Sequence, residues 1–441
     1  RPLQPNRRTM NAPARTASVS ASAVCAGAGL PMGSTLTPAS LMLPAGAPAA
    51  ARAVFRLLQK LPCGTLDLQW PDGSHCRVGH GAVPHASIAV KDWSLFSAVL
   101  KSGDIGFAET FIAGGWHTPD LPGLLRFLLA NREAVEQLIF GNWWGSLLYR
   151  LRHLRNRNSR EGSKRNIHAH YDLGNAFYRL WLDGTMNYSS AWFEGDHTRP
   201  LPDAQHAKVR RALQQARVGQ GDRVLEIGCG WGALAEMGTR EFGAHVTGVT
   251  LSTEQLAWAN ERMARNGTAQ QADLRLQDYR DIAKAPGFAP FDAVLSIEMF
   301  EAVGRSYWPS YFETVARCLK PGGRACIQSI TIRDDLFERY VRSTDFIQQY
   351  IFPGGLLPSD AEFRKAAERA GLVVEEAMAF GPDYAETLRR WRTDFHAQAD
   401  KVQRLGFDEP FMRTWDFYLA YCEAAFDTGN TNVVQYTLRR P

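Results

Sequence analysis

At 441 residues the chain is long enough for two or three domains, and 45% apolar with 22% charged residues is an ordinary globular balance. Fifty basic residues against 45 acidic ones leave a net charge of +5, too mild a bias for a nucleic-acid footprint. Seven scattered cysteines without C-x-x-C spacing argue against a zinc site or a disulfide framework, so reduced thiols are expected, and no apolar stretch approaches the roughly 18–20 residues of a membrane span.

Residues 1–50 are rich in Ala, Pro, Ser and Gly without helical or strand period, and read as a disordered segment. Residues 54–130 read as a small α+β domain. Residues 64–70 alternate like a strand, Pro71-Asp72-Gly73 turns the chain, residues 75–78 return, and residues 86–90 make a further strand. Residues 93–101 and 121–129 carry helical apolar faces. Nothing in this stretch pairs a nucleophile with a base. Residues 131–165 form a connector in which Trp143, Trp144 and Tyr149 precede seven Arg and Lys side chains between Arg150 and Arg165. Aromatic and basic residues in that order suit a membrane interface with anionic headgroups; a domain-packing helix followed by a solvated linker is the plainer and favoured reading.

Residues 166–441 alternate regularly. Helices are expected near 203–217, 231–241, 252–265, 306–319 and 359–370, and strands near 245–250, 272–276, 292–297, 323–330, 372–379 and 432–438. Such alternation predicts a mostly parallel, doubly wound sheet. Pro321-Gly322-Gly323 is expected to stop a helix and lead into the next strand.

Within this region residues 223–232 read as a buried strand, a tight turn and a helix start, with Glu226 followed by Gly228, Gly230, Trp231 and Gly232. A nicotinamide enzyme would end its second strand on an acid; here that strand runs into Thr250-Leu251-Ser252, and Gln255 is placed to bond a ribose instead. Asp278 and Tyr279, after the third strand, suit an adenine; a helix cap is the alternative for Asp278. The pattern Glu-x-Gly-x-Gly-x-Gly resembles the S-adenosylmethionine (SAM) motif of class I methyltransferases. The candidate cofactor residues are Tyr188, Ser189, Glu226, Gly228, Gly230, Trp231, Gly232, Thr250, Leu251, Gln255, Asp278 and Tyr279. Tyr188, Trp231 and Phe300 are candidates for cation–π contact with the sulfonium. No metal is expected.

Several stretches carry a more specific resemblance: residues 170–175, Tyr188-Ser189-Ser190-Ala191, residues 248–252, residues 299–304, residues 346–355, Asp383-Tyr384 and residues 417–419. Together they make the chain similar, over roughly residues 55–438, to the cyclopropane-fatty-acyl-phospholipid synthase family, which includes the mycolic acid cyclopropane synthases. The resemblance implies a class I α/β fold, Rossmann-like with a doubly wound mostly parallel sheet, behind a smaller N-terminal α+β domain. It implies methyl transfer from SAM to the cis double bond of an acyl chain on a membrane phospholipid, with cyclopropane ring closure. A peripheral enzyme at the cytoplasmic face of the inner membrane would do this; a homodimer is left open, and nucleic acid is not a partner.

The family's base is a bicarbonate ion. The resemblance assigns Glu301 and Tyr384 to its site, with Ser190 where Cys is usual, and Ser329 and Thr331 where His and Ile are usual; Ala302 replaces a further His. Tyr188, Trp192, Phe300, Tyr350 and Phe352 are the aromatics offered to a carbocation. The departures cast the ring-closing step in question and leave open a methyl-branched or methylene product, an amine N-methyltransferase, or a binding protein without catalysis. Glu298, three residues before Glu301, reads as either a catalytic acid or a solvated helix-start acid.

Overall fold

The computed structural model describes residues 43–79, 81, 83–139 and 173–441. Most of the 1–50 segment, the basic stretch of the connector and His170-Tyr171-Asp172 therefore lie outside the described residues. One correction falls inside them. A helix, Ala49–Leu58, begins within the segment expected to lack structure. Its buried residues Ala51, Val54, Phe55 and Leu58 fall at i, i+3, i+4 and i+7, a single helical face that the surrounding Ala- and Pro-rich composition hid.

Strands β1 (Thr65–Gln69), β2 (His75–Gly79), β3 (His85–Val90) and β4 (Trp116–His117) form a four-stranded sheet in the order β2-β1-β3-β4. The helix expected near 93–101 runs instead over Ser94–Ile112, with a break at Gly103 (φ 61°, ψ −130°). A side chain would resist that conformation, so the glycine lets two helical segments meet at an angle. Helix Leu121–Ala130 follows, capped by Asp120, which accepts from the Gly123 amide at 2.9 Å.

Strands β5 (Arg223–Ile227), β6 (His245–Thr250), β7 (Ala272–Leu276), β8 (Phe291–Ile297), β9 (Leu319–Ile332), β10 (Val373–Ala379) and β11 (Thr431–Arg439) form the large sheet, in the order β10-β11-β9-β8-β5-β6-β7. Strands β5 to β9 are parallel, and β11 runs antiparallel to both of its neighbours. Four of the five β5 residues are buried, as an apolar strand covered on both faces requires. Pro321-Gly322-Gly323 does not separate helix from strand. The helix Trp308–Cys318 ends earlier, and the three residues lie within β9, where the pairing with β8 shifts register.

The chain leaves β5 towards β6 and β7 on one side and places β8 and β9 on the other. Crossovers diverge from β5, so the crevice beyond its carboxyl end is the ligand position of an open α/β sheet. The four-stranded sheet is joined to the large unit rather than tethered to it. One apolar cluster contains Trp70 and Phe127 together with Phe177, Trp181, Trp391 and Phe417. Arg126, on helix Leu121–Ala130, reaches Glu423 (3.3 Å) and Asp427 (2.8 Å) on helix Glu409–Asp427.

Cys76, Cys229, Cys318, Cys326 and Cys422 are free thiols; Cys63 corrects the expectation of reduced cysteines, being disulfide-bonded. Among the described residues no helix is long and apolar enough to cross a membrane, and no cluster of His, Cys, Asp or Glu could hold a metal ion.

Candidate active site

A cavity of about 350 Å³ opens at the carboxyl ends of β5, β6 and β8 and extends to helices Gly381–Ala397 and Glu409–Asp427. Its cofactor end is built by the β5 turn. Gly228 adopts φ 86°, and a Cβ there would stand 3.0 Å from the Met299 side chain, so only glycine lets the chain turn here without filling the crevice. Glu226, 4% exposed, lines this end, and its Oε2 has no hydrogen-bond partner among the described residues. Desolvation raises its carboxyl well above the ordinary range, against the pull of Arg262 and Lys208. A desolvated acceptor without a donor fits a ligand that brings a hydroxyl or ammonium.

The other expected cofactor residues surround it. Thr250 donates to Gln255 Oε1 at 3.1 Å, and Ser252 caps the next helix by accepting from the Gln255 amide at 3.2 Å. Trp231 Nε1 donates to Asn175 Oδ1 at 2.7 Å, and Tyr188 shares a 2.7 Å hydrogen bond with Tyr418. Gly230 and Leu251 line the same wall, as does Tyr279; Gly232 sits behind it as the left-handed N-cap of helix Ala233–Arg240. Asp278 also lines the cavity, but its carboxylate accepts from the backbone and side-chain nitrogens of Arg280 (3.0 and 2.8 Å), so the helix-capping role is the one the structure displays. The glycine turn, the orphaned Glu226 oxygen and the Tyr188–Trp231 wall fit SAM.

The reacting end follows β8. Glu298 has φ 50°, a left-handed conformation costing a non-glycine residue about 1–2 kcal/mol. It is over-determined. Its backbone N–H donates to the Gln328 carbonyl at 2.8 Å, and its carboxylate is met by three donors. Oε1 accepts from the Ser190 amide (2.9 Å) and from Gln328 Nε2 (2.7 Å), and Oε2 accepts from the Tyr384 hydroxyl (2.6 Å). Desolvation raises the Glu298 pKa; the Tyr384 hydrogen bond and the Lys208 charge oppose it. Glu301 is one turn on. Its Oε1 accepts from the Ile330 amide, and its Oε2 has no hydrogen-bond partner among the described residues. Desolvation, and then the charge of Glu298, push its carboxyl up to about 8 from 4.5. Glu298 accepts three hydrogen bonds and Glu301 one, so the geometry favours the negative charge on Glu298.

This geometry does not fit a bicarbonate ion. The Ser190 backbone, Gln328 and Tyr384 donate to a carboxylate of the chain itself, and a further anion would meet like charge. Side chains alternate along β9, so Gln328 faces Glu298, while Ser329 lies beside Glu301 with its hydroxyl donating to the Ile330 carbonyl at 3.1 Å. The Ser190 hydroxyl likewise turns to the Ala191 carbonyl at 2.9 Å; only its amide serves the site.

Of the five aromatics offered to a cation, Tyr188 and Phe352 line the cavity. Phe300 does not, being fully buried between Trp308, Tyr311, Phe312 and Phe363. Tyr350 is 40% exposed and donates to Glu109, and Trp192 lies under the Arg211 guanidinium. Sequence reading missed Gln328, which looked like an ordinary strand residue, and Lys208. The latter is 0% exposed on helix Leu201–Gln215, where its Nζ donates to Ser189 Oγ at 2.6 Å. The available signal was Gln205 and Lys208, two polar side chains i, i+3 on the buried face of an amphipathic helix. Beyond the acids the wall includes the apolar side chains of Leu356, Leu388, Phe352 and Phe426.

Residues 158–436 match the family model of mycolic acid cyclopropane synthetase. The chain is 38% identical over 418 residues to tuberculostearic acid methyltransferase UfaA1 of Mycobacterium tuberculosis, covering 91% of this chain and 95% of that protein. It is 33% identical over 363 residues to cyclopropane-fatty-acyl-phospholipid synthase of Escherichia coli (strain K12), covering 82% and 89%. Among solved structures, mycolic acid cyclopropane synthase CmaA1 in complex with SAH and CTAB aligns with a TM-score of 0.58 at 30% identity, covering 63% of this chain and 98% of that one. With a class I fold, a cavity fitted to SAM and these relatives, the chain belongs to the mycolic acid cyclopropane synthetase family and is a SAM-dependent methyltransferase acting on fatty acyl chains.

Proposed function

We propose that this enzyme methylates the cis double bond of an unsaturated acyl chain carried by a membrane phospholipid, and that the product is an exocyclic methylene rather than a cyclopropane. The observation that carries the reading is the Glu298–Glu301 pair, a proton acceptor belonging to the chain at the reacting end of an apolar cavity. The name of UfaA1, a methyltransferase rather than a ring-forming synthase, supports the same side.

SAM, when bound, supplies an electrophilic methyl on a positively charged sulfur. The alkene's π electrons form the new carbon–carbon bond as the methyl–sulfur bond breaks, leaving a cation on the other alkene carbon. A hydride shift brings that charge to the methyl-bearing carbon, and loss of a proton from the new methyl gives the methylene. The acyl chain gains one CH2, and the proton passes to Glu298. The wall around the double bond, with Tyr188, Phe352 and Leu388, excludes water that would trap the cation. Tyr188 and Phe352 offer ring faces to the charge. A saturated methyl branch would require a reductant acting on this product. Substrate reaches the cavity from a membrane surface on which the enzyme lies peripherally, a placement supported by the seven basic residues between Arg150 and Arg165.

The test is incubation with SAM and liposomes of monounsaturated anionic phospholipid, with and without bicarbonate, followed by NMR of the acyl products. Vinylidene protons in a yield indifferent to bicarbonate are expected. Cyclopropyl protons would replace the methylene reading with ring closure. Methyl transfer to amines alone would overturn the acyl substrate.

A further inference from the structure

Helix Leu201–Gln215 packs behind the acid pair and reaches it in two ways. The first is charge. Lys208 has no exposed surface, and its Nζ donates to Ser189 Oγ (2.6 Å) and approaches Asn187 Oδ1 (3.4 Å). The second is a hydrogen-bond chain whose direction can be read. Arg211, which can only donate, gives a hydrogen bond to Gln435 Oε1 at 2.7 Å. That fixes the Gln435 carboxamide, so its Nε2 donates to Gln328 Oε1 at 3.0 Å and to the Lys208 carbonyl at 3.1 Å. Gln328 is fixed in turn, and its Nε2 faces Glu298 Oε1 at 2.7 Å as a donor. The Ser190 amide and the Tyr384 hydroxyl also donate to Glu298. Every partner thus asks Glu298 to accept, which an ionised carboxylate does best. Glu301 receives one amide and keeps an unpartnered oxygen that a proton can occupy.

We propose that Lys208, with the Arg211–Gln435–Gln328 chain beside it, holds the negative charge of the acid pair on Glu298 and the proton on Glu301. These are positioning residues, acting through Glu298 rather than on substrate. The proposal rests on the acid pair being the proton acceptor of the reaction. The charged and titratable groups facing Lys208 are Glu298, Asp183 and Glu226; Arg262 and Cys229 also face Glu226. Those facing Glu298 are Lys208, Tyr384 and Glu301, and those facing Glu301 are Glu298 and Tyr311, with the Ser329 hydroxyl beside it. Glu298 has no other cation against it among these, so Lys208 is the group whose removal moves the charge.

The experiment is a difference infrared titration of the Glu298 carboxyl band, wild type against E298Q, in the Lys208→Met and Gln435→Met backgrounds, with SAM binding measured alongside. In K208M the protonated band is expected to persist about one pH unit or more higher than in wild type. In Q435M it shifts less and in the same direction. K208R is expected to restore the wild-type midpoint, with SAM affinity kept within about threefold. A midpoint unmoved in K208M, or in Q435M should K208M fail to fold, overturns the proposal. The acid limb of the rate profile should move with the band in K208M and stay fixed when K208M is added to E298Q. The infrared reading needs no turnover, so an absent lipid product in wild type would sink the proposed reaction and leave the charge assignment tested on its own.

Discussion

Glu226 and Glu298 end neighbouring strands of the same sheet, both carboxyls are desolvated, and both are raised by that desolvation. They differ in partners. Glu226 keeps an oxygen without a donor, whereas Glu298 has both oxygens bonded, by three donors in all. A desolvated polar group left unsatisfied costs about 1–3 kcal/mol, which a bound ligand can return. A group whose oxygens already accept hydrogen bonds has no such need of a ligand, and its donors favour the ionised form that can take up a proton. On the proposed reaction the first carboxyl is a receptor for cofactor and the second a reagent.

Substitutions at the two acids can break this distinction. The largest effect is expected from Glu298→Gln, which keeps the shape and removes the base: turnover should fall by about 10²–10⁴-fold with SAM affinity nearly unchanged. Equal losses in binding and turnover would place Glu298 with the cofactor instead. Glu226→Gln should do the opposite, weakening SAM by about ten- to a hundredfold in a calorimetric titration, the worth of a charge-assisted hydrogen bond. Tyr384→Phe deletes one of the three donors to Glu298. About a tenfold drop in kcat is expected, with the acid limb of the profile displaced to higher pH, because that hydrogen bond lowers the Glu298 pKa.

Glu301 sharpens the comparison through stability. Its folded-state pKa is about 8 against an ordinary 4.5, so the folded protein holds the proton more tightly than the unfolded chain does. Its contribution is complete below pH 4.5 and is lost as pH rises through 8, with a slope of about 1.4 kcal/mol per pH unit between them. Denaturant titrations of Glu301→Gln should lack that part of the slope. An unchanged slope would mean that Glu301 is ionised in the fold.

The cofactor half of the site was legible because its signals are local. A strand, a turn requiring φ above zero at Gly228 and a helix start are written in ten consecutive residues. The centre of the parallel sheet was legible for the same reason, since β5 and β8 each carry their own apolar run. The reacting half was not. Glu298 meets Ser190, Gln328 and Tyr384, which lie 108, 30 and 86 residues away in sequence. Which face of β9 meets the cavity depends on register, and a shift of one residue exchanges Gln328 for Ser329. Phe300 failed as a cavity residue because an aromatic next to a motif is chemically the same whether it packs into the core or faces a ligand. The helix at Ala49–Leu58 failed because alanine supplies its buried face as readily as it supplies a linker.

The reversed strand β11 lies between β10 and β9, yet among the described residues it comes last of the eleven strands in sequence. As the chain emerges from the ribosome, β5 to β9 can assemble, but β10 has no edge to join until residues 431–439 have been made. Gln435 sits on that strand, so the hydrogen bond that orients Gln328 towards Glu298 forms only after nearly the whole of this sequence has been synthesised. The strands that carry the cofactor crevice, β5, β6 and β8, are thus complete in sequence well before the strand that orients Gln328.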